Sequence, residues 1–517
     1  MSAQSAIFNP SQTTSAATGD GFSVPRLTTT GRLAIVFGTG DSGMMVYDTT
    51  LNNLFIWNGT AWTSVPDSGD STDEQVIFND NGVLVGDAGL RYQKTTQKLK
   101  VGSLIDIWKG NFQDNTSTAV GSTALAGTIV GAVDNTAIGY RAMYRASSGS
   151  SNVAVGNSAL SGLAMSGTFN VAVGINTATR TTSGSANTSI GPSCGGAITT
   201  GAINVAVGNN ALGNTAQACT GNYNIAIGDT AMFSASPVTG DNNVGIGKDT
   251  FRNLTSGANN VAIGQGNLGS ATTALNNIAI GTNSLALLQT GNNNIALGSA
   301  ALNACVVGEQ IGIGPEALFS LTSGGNNTAI GRSALRGLIS NSNCTALGYF
   351  AARATTASDV TAIGANALQL STGGASNTAV GANNMGWGIV TGANNTSIGG
   401  SAAYNLTSGA NNTILGQAAA FNLTSGSSNV FVGTTSGDTT TTGSSNICIG
   451  RTAVTSAVGA SNELSIGSAT YFVATNGAAA TYFPTAGAGA IIAPGTILGF
   501  IRFRLNGTLL KLAVYPD

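Results

Sequence analysis

The sequence predicts an all-β protein whose central part is a parallel β-roll (β-solenoid) of about 21 coils. A five-residue strand motif recurs along most of the 517 residues, and 73 of those residues are glycine. Charged residues make up only 8% of the chain, about a third of the usual share, whereas 42% of the residues are hydrophobic. This combination favours a repeat fold, in which glycines form turns and branched side chains stack on one another.

Each repeat is anchored on a glycine that closes a short strand, as in residues 152–156 (Asn-Val-Ala-Val-Gly). There are 21 such glycines, from Gly121 to Gly467, with a mean spacing of 17.3 residues and steps of 16 to 20. Positions are counted here from that glycine. Position −1 is aliphatic in all 21 copies, −3 is β-branched in 20, −2 is small in 19 and −4 is Asn in 16. The alternation between positions is typical of a strand.

A period of 17 residues is too short for two packed helices per repeat but fits one coil of a β-solenoid. We expect the branched residues at −3 and −1 to be buried by stacking on neighbouring coils. The segment after the glycine is either a second strand or a short helical turn. The Asn column is expected to form an amide ladder along the axis. Its predicted members include Asn135, Asn152, Asn204, Asn224, Asn260, Asn294 and Asn327.

The small residues at −2 predict a second feature. A face lined by alanine in every coil would let another backbone approach closely, so we expect it to pack against copies of itself about a symmetry axis. Three chains would then bury what one chain cannot. The residues predicted to form this trimer contact are Ala137, Ala154, Ala206, Ala226, Ala262, Ala296 and Ala329.

The Asn-x-Ala-Ile-Gly repeats resemble the head repeats of trimeric autotransporter adhesins of the YadA type. The resemblance covers about residues 115–470. It implies a left-handed parallel β-roll in each chain and a head made of three rolls. The autotransporters also carry a signal peptide, a coiled-coil stalk and a membrane barrel, and none of these is expected from this sequence.

The two ends differ from the repeats. Residues 1–20 are expected to be a flexible tail, 21–66 a β-hairpin module for attachment, and 67–114 a linker with a second small β module. Asn58-Gly59 predicts a hairpin, as does Asn506-Gly507 in a C-terminal cap over residues 471–517. These modules resemble parts of the tail fibres of tailed bacteriophages. Contacts at the tip are predicted for Tyr471, Phe472, Tyr482, Phe483, Arg502 and Arg504.

Several function classes are disfavoured. The chain has no histidine, which excludes histidine-based catalytic triads and histidine metal ligands, and its net charge of −2 argues against nucleic-acid binding. No cofactor motif and no membrane-spanning helix is expected. The five cysteines lack a Cys-x-x-Cys pair and are interpreted as small buried side chains.

The sequence therefore predicts a non-enzymatic, homotrimeric fibre of a tailed phage. Its expected partners are itself, other virion proteins through the N-terminal part, and a host surface glycan or protein. It would be made in the host cytoplasm and reside on the virion. One alternative is a bacterial trimeric adhesin. A second is a tailspike that cuts polysaccharides with carboxylates such as Asp229 with Asp249 or Glu309 with Glu316. A third, ice binding by the threonines at −3, is disfavoured because these are expected to point inward.

Overall fold

A computed structural model describes most of the repeats and parts of both ends. Within strands of residues 73–109 and 471–514 it describes the backbone alone. The described residues are 24–36, 43–64, 73–80, 83–93, 98–101, 105–109, 116–126, 131–162, 164–214, 216–386, 388–467, 471–474, 481–484, 499–505 and 508–514. The predicted tail, 1–20, lies outside them. The chain divides into two units, 1–169 and 170–517.

The first unit begins with a four-stranded sheet and one short helix. Strand β1 (Arg26–Leu27) pairs in parallel with β2 (Met45–Asp48), and β2, β3 (Asn53–Trp57) and β4 (Trp62–Ser64) are antiparallel. Helix α1 (Thr29–Leu33) is capped by the Thr28 hydroxyl, which accepts a hydrogen bond from the Gly31 N–H. Because Trp57 pairs directly with Trp62, the hairpin predicted at Asn58-Gly59 is confirmed.

The first unit continues with antiparallel strands and then changes to parallel ones. Each of β5 to β8 pairs antiparallel with the next, and β8 pairs antiparallel with β9. Strands β9, β10 and β11 are parallel, with each alanine at −2 opposite the next. The strands are β5 (Asp73–Asp80), β6 (Val83–Gln93), β7 (Lys98–Val101), β8 (Ile105–Lys109), β9 (Thr118–Val120), β10 (Thr136–Ile138) and β11 (Val153–Val155).

The second unit contains the longer parallel ladder. Eighteen strands, one per coil, pair in parallel and in register, so position −2 of each coil lies opposite −2 of the next. At a spacing of ~4.8 Å, 17 steps extend over about 80 Å. The strands are β12 (Val171–Val173), β13 (Thr188–Ile190), β14 (Val205–Val207), β15 (Ile225–Ile227), β16 (Val244–Ile246), β17 (Val261–Ile263), β18 (Ile278–Ile280), β19 (Ile295–Leu297), β20 (Ile311–Ile313), β21 (Thr328–Ile330), β22 (Thr345–Leu347), β23 (Thr361–Ile363), β24 (Thr378–Val380), β25 (Thr396–Ile398), β26 (Thr413–Leu415), β27 (Val430–Val432), β28 (Ile447–Ile449) and β29 (Glu463–Ile466).

The parallel ladder ends in antiparallel strands. Strand β30 (Tyr471–Ala474) pairs antiparallel with β29, and β31 (Thr481–Pro484) pairs with β30. Strands β32 (Gly499–Leu505) and β33 (Thr508–Val514) form a hairpin in which Leu505 pairs with Thr508, as predicted for Asn506-Gly507. The fold is thus the predicted all-β solenoid with a period near 17 residues.

The segment after the closing glycines from Gly121 to Gly433 is neither a strand nor a helix. It is a tight turn in which positions +2 and +4 have positive φ, as at Asn283 (55°) and Leu285 (50°). Its backbone groups bond to the adjacent coil, for example from the Leu285 N–H to the Ala301 carbonyl at 3.1 Å. Hydrogen bonds between coils therefore replace the bonds that a helix would make within itself.

The closing glycine is required for two reasons. At Gly247 φ is +129°, a conformation that residues with a side chain rarely adopt. A Cβ atom there would also lie 2.6 Å from the carbonyl oxygen of Gly264 in the next coil. The same glycine column thus closes every strand and lets consecutive coils approach closely.

Candidate functional site

A long, largely aliphatic surface lies on the outside of the strands. The residues at −1 and −3 define it and are called the aliphatic face below. In β12 to β28 the middle residue of each strand is buried, whereas its two neighbours are half-buried or exposed. Ile190 is 42% exposed, Leu415 is 46% exposed and Ile466 is 59% exposed. Monomeric proteins rarely leave such a long apolar surface uncovered, so the face is suited to contact with another chain.

This arrangement corrects two expectations. The branched residues at −3 and −1 point outward, so the prediction that neighbouring coils bury them is wrong. Threonines at −3 such as Thr345 are exposed and do not point inward as expected. The small residues at −2 are inside one chain and cannot contact another copy. All seven alanines predicted to form the trimer contact have no exposed surface: Ala137, Ala154, Ala206, Ala226, Ala262, Ala296 and Ala329.

The reason is the limited room inside the coil. Position −2 faces the large residue at +4, so a Cβ atom at Gly245 would lie 3.1 Å from the Phe251 ring and 3.2 Å from Met232 Cε. Only a methyl group or less fits opposite such a side chain. Where −2 is large, +4 is small. Phe431 is opposite Gly437, where a Cβ atom would lie 2.5 Å from the ring.

This exchange of volume between −2 and +4 is visible in the sequence. It also occurs in the coil that has Ile414 at −2 and Ala420 at +4, both of which are buried. In these two coils the paired positions are a signal for the inner face, because only residues that share one interior need complementary volumes. Neither column reveals that face by itself, so the signal lies in the pairing of the two.

The asparagine column at −4 forms a buried amide ladder. Asn260 is an example: its side-chain N–H groups donate to Asn243 Oδ1 at 3.0 Å and to the Ala274 carbonyl at 2.7 Å. Asn260 Oδ1 in turn accepts from the backbone and the side chain of Asn277, at 2.9 and 3.0 Å. Each amide is thus satisfied by both neighbouring coils. Equivalent bonds involve the predicted ladder residues Asn135, Asn152, Asn204, Asn224, Asn294 and Asn327.

The ladder has one substitution that preserves it and one interruption. Gln310 replaces Asn: its backbone N–H donates to Asn294 Oδ1, and its side-chain Oε1 accepts a hydrogen bond from Asn327 Nδ2. Cys344 and Val360 occupy the next two −4 positions after Asn327 and interrupt the amide column, which resumes at Asn377. Stability along the coils therefore rests on neutral amides rather than on charges.

Some charged side chains of the repeats form pairs of opposite sign. Asp229 lies 3.9 Å from Lys248 Nζ, and Asp249 lies 3.2 Å from Arg252. Glu316 accepts a hydrogen bond from Arg336 Nε at 2.8 Å, and the Arg336 contact holds the pKa of Glu316 below its usual range. Surface pairs of this kind contribute little to stability.

The cysteines are free and buried. Burial raises the pKa of Cys219 to about 12 and that of Cys305 to about 11, so both thiols stay protonated at neutral pH. Among the described residues, no group of three His, Cys, Asp or Glu could hold a metal ion. Nor does any helix in this part of the chain have the length and apolar character needed to cross a membrane.

The N-terminal sheet is organised around one buried ion pair. Arg32 Nε donates to Asp48 Oδ2 at 2.9 Å, and the guanidinium lies 3.6 Å from the centre of the Phe55 ring. Burial favours protonation of Asp48, but hydrogen bonds from Arg32, Leu51, Thr29 and Thr50 lower its pKa to about 2. This cluster fixes α1 against the sheet.

The residues predicted to contact a ligand at the tip fall on strands. Tyr471 and Phe472 are on β30, Tyr482 and Phe483 on β31, and Arg502 and Arg504 on β32. Their side chains lie outside the described part of the structure, so the predicted contacts stay a prediction.

Comparison with known proteins concerns the N-terminal part. Residues 4–76 match the family model of the phage tail like trimerisation region. The match supports a phage tail-fibre-like protein that associates with itself as a homotrimer, and it indicates a virion-associated structural protein. The matched segment contains the Arg32–Asp48 cluster. It also covers the module that was expected to attach the fibre.

The other comparisons are negative. Neither the curated proteins nor the solved structures include a match. Because the matched region ends before residue 115, the resemblance of the repeats to the YadA-type head stays a prediction.

Proposed function

We propose that the chain forms a homotrimeric, non-enzymatic fibre of a tailed phage, in which three rolls pack through their aliphatic faces. The aliphatic face is the observation that supports this packing. In strand after strand the branched side chains point out of the coil, because the interior is already filled by residues of the same chain. The match of residues 4–76 to a phage tail like trimerisation region supports two further copies of the chain as the partners that cover this face.

The chemistry of the outer side chains explains why the rolls would pack through this face. Each coil places two aliphatic or threonine side chains on the outside, and equivalent coils of three chains would meet about one axis. Burying apolar surface stabilises by about 25 cal/mol per Å², so a long face contributes through the sum of many small contacts. The neutral amide ladder and the solenoid make each roll a stiff spacer. The N-terminal part would dock on the virion, and the roll or its C-terminal strands would contact the host.

A single charged substitution tests the trimer. Ile263 is on the aliphatic face, and Ile263→Asp would place three carboxylates about the axis with no counter-charge. We expect the full chain to sediment as a trimer and the variant trimer to be less stable, because burying unpaired charges is strongly unfavourable. Ser256→Asp, at an exposed position away from that face, should leave the trimer unchanged. Trimers of Ile263→Asp with unchanged stability would contradict this packing.

The place on the virion needs a separate experiment. Gold-labelled antibodies against the full chain should decorate a fibre attached to phage particles in electron micrographs. Label on bacterial surfaces and not on particles would contradict the phage assignment and leave the trimer unaffected.

A further inference from the structure

A groove lined mainly by asparagine and threonine residues, whose exposed atoms are more apolar than polar, crosses the last coils of the roll, away from the aliphatic face. Its volume is about 670 Å³. It lies along positions +6 and +8, several residues beyond the turn that follows the strand, and hence on another side of the coil. It is called the distal groove below. Its lining residues are Gly388, Asn405, Thr407, Asn422, Thr424, Asp438, Thr439, Thr441 and Val458.

The groove is rigid because its side chains are linked from coil to coil. The Thr407 hydroxyl donates to the Thr424 carbonyl, and the Thr424 hydroxyl donates to the Thr441 carbonyl, each at 3.0 Å. Asn422 Nδ2 donates to the carbonyl and to Oδ1 of Asp438, at 3.0 and 3.1 Å. Polar groups thus recur at the coil spacing of ~4.8 Å along the axis.

The groove offers neutral donors and acceptors and one carboxylate, and none of its lining residues is cationic. Asn405 Oδ1 and Asp438 Oδ2 accept no hydrogen bond from the described residues. Amide and hydroxyl groups both donate and accept, which suits a ligand rich in hydroxyl groups. An anionic ligand would meet Asp438 without any compensating positive charge.

An aromatic pair lies close in sequence to two of the lining residues. Tyr404 and Phe421 precede the lining residues Asn405 and Asn422, and their rings stack with centroids 4.8 Å apart and planes at 7°. Both side chains are half-buried.

The same construction occurs a second time in the roll. A smaller groove of about 360 Å³ uses the equivalent +6 and +8 columns, and both grooves adjoin a coil with a longer corner. One such corner contains Ser234 and Ser236, and the other contains Gly388. The smaller groove is lined by Ser234, Ala235, Ser236, Asn253, Thr255, Ser270, Thr272 and Gln289.

We propose that the distal groove binds a neutral polysaccharide, laid along the roll so that successive sugars meet successive coils. The inference rests on the proposed function, since it names the ligand class for the host contact. A linked pyranose advances by a distance similar to the rise of one coil, so one chain of sugars can repeat its contacts with Asn405, Asn422 and Asp438. The sugar hydroxyls donate to Asn405 Oδ1 and Asp438 Oδ2.

The test uses an array of bacterial surface polysaccharides, neutral and acidic, probed with the full-chain trimer. We expect binding to neutral polysaccharides and at least a tenfold loss in Asn422→Leu, because leucine removes the amide and blocks the groove floor. Gln417→Leu makes the same polar-to-apolar exchange on another side of the same coil and should bind normally. Asn405→Ala provides a second variant, and sedimentation with thermal unfolding establishes that each variant is a folded trimer.

The outcomes separate the two proposals. Unchanged binding by Asn422→Leu and Asn405→Ala, or binding to acidic polysaccharides only, overturns the assignment of the groove. A trimer that decorates virions and adsorbs to cells, but binds none of the arrayed polysaccharides, also overturns it and leaves the fibre function standing. If the wild-type protein forms no trimers, the proposed function as a trimeric fibre is contradicted.

Discussion

Two stretches of the roll share a buried position in the middle of each strand and differ outside. In the coils of residues 205–313, called the first stretch, position −3 is Val or Ile throughout; in those of 328–415, the second stretch, it is Thr throughout. Position −1 stays aliphatic, and the middle residue of every strand stays buried in both. The inside is therefore set by packing within one chain, whereas the outside can change as long as the strand keeps its shape.

The change at −3 is conservative in shape and not in polarity. Threonine is β-branched like valine and fits the same extended backbone, but it presents a hydroxyl group where valine has a methyl group. In the proposed trimer the second stretch would thus have one aliphatic and one hydroxylated column, and the first stretch would have two aliphatic columns. The difference implies stronger association along the first stretch.

The largest expected effect tests whether the interiors are equivalent. Leu285 and Leu335 occupy position +4 in the first and second stretch, and both are fully buried. Leu285→Ala and Leu335→Ala should each lower the free energy of unfolding by about 3 kcal/mol, because each leaves a cavity. Denaturant titrations followed by circular dichroism measure both. Leu287→Ala, at a residue 51% exposed, is the control and should change little.

A clear difference between the two buried variants would contradict the equivalence of the two interiors, since it would show that the outer face influences the core. Equal losses would support an interior determined by the single chain.

A smaller effect is expected from the amide ladder, which is continuous through the first stretch and interrupted in the second. Asn260→Val removes the side-chain bonds to Asn243 and Ala274 and leaves the backbone N–H of Asn277 without its partner. We expect a loss of about 2 kcal/mol in the free energy of unfolding. Val360→Asn, at the natural interruption, is the matched reverse exchange and should not destabilise to that extent. A tolerated Asn260→Val would mean that the ladder is dispensable.

The smallest expected effect concerns the contribution of position −3 to the stability of the trimer. Ile278→Thr in the first stretch should weaken the trimer, and Thr345→Val in the second should strengthen it, by about 1 kcal/mol per chain in each case. The concentration dependence of sedimentation reports both shifts. Shifts of the same sign, or none, would place position −3 outside the contact between chains.

Much of the architecture could be predicted from the sequence. The spacing from Gly121 to Gly467 gave the period, and the −4 column identified residues such as Asn260 that bond from coil to coil. The hairpins at Asn58-Gly59 and Asn506-Gly507 followed from local turn chemistry. These features depend on residues that are close in sequence or recur at a fixed interval.

The candidate site was predicted less well, because alternation establishes that a strand has two faces but not which one is buried. Ala262 and its equivalents were assigned to the outside because large apolar residues are usually buried. The groove at Asn405 and Asn422 was not predicted at all. Its two columns belong to the corner of the coil, whose side chains come together only once consecutive coils stack.

The sequence by itself thus determined the repeat, its register and the positions that only glycine can occupy, since each depends on backbone geometry repeated along the chain. The tertiary structure decided which face of each strand is inside. The physical reason is volume: closing the coil places +4 opposite −2, and a side chain such as Phe251 leaves little room for a side chain at Gly245. The branched residues are left outside, where other chains can cover them.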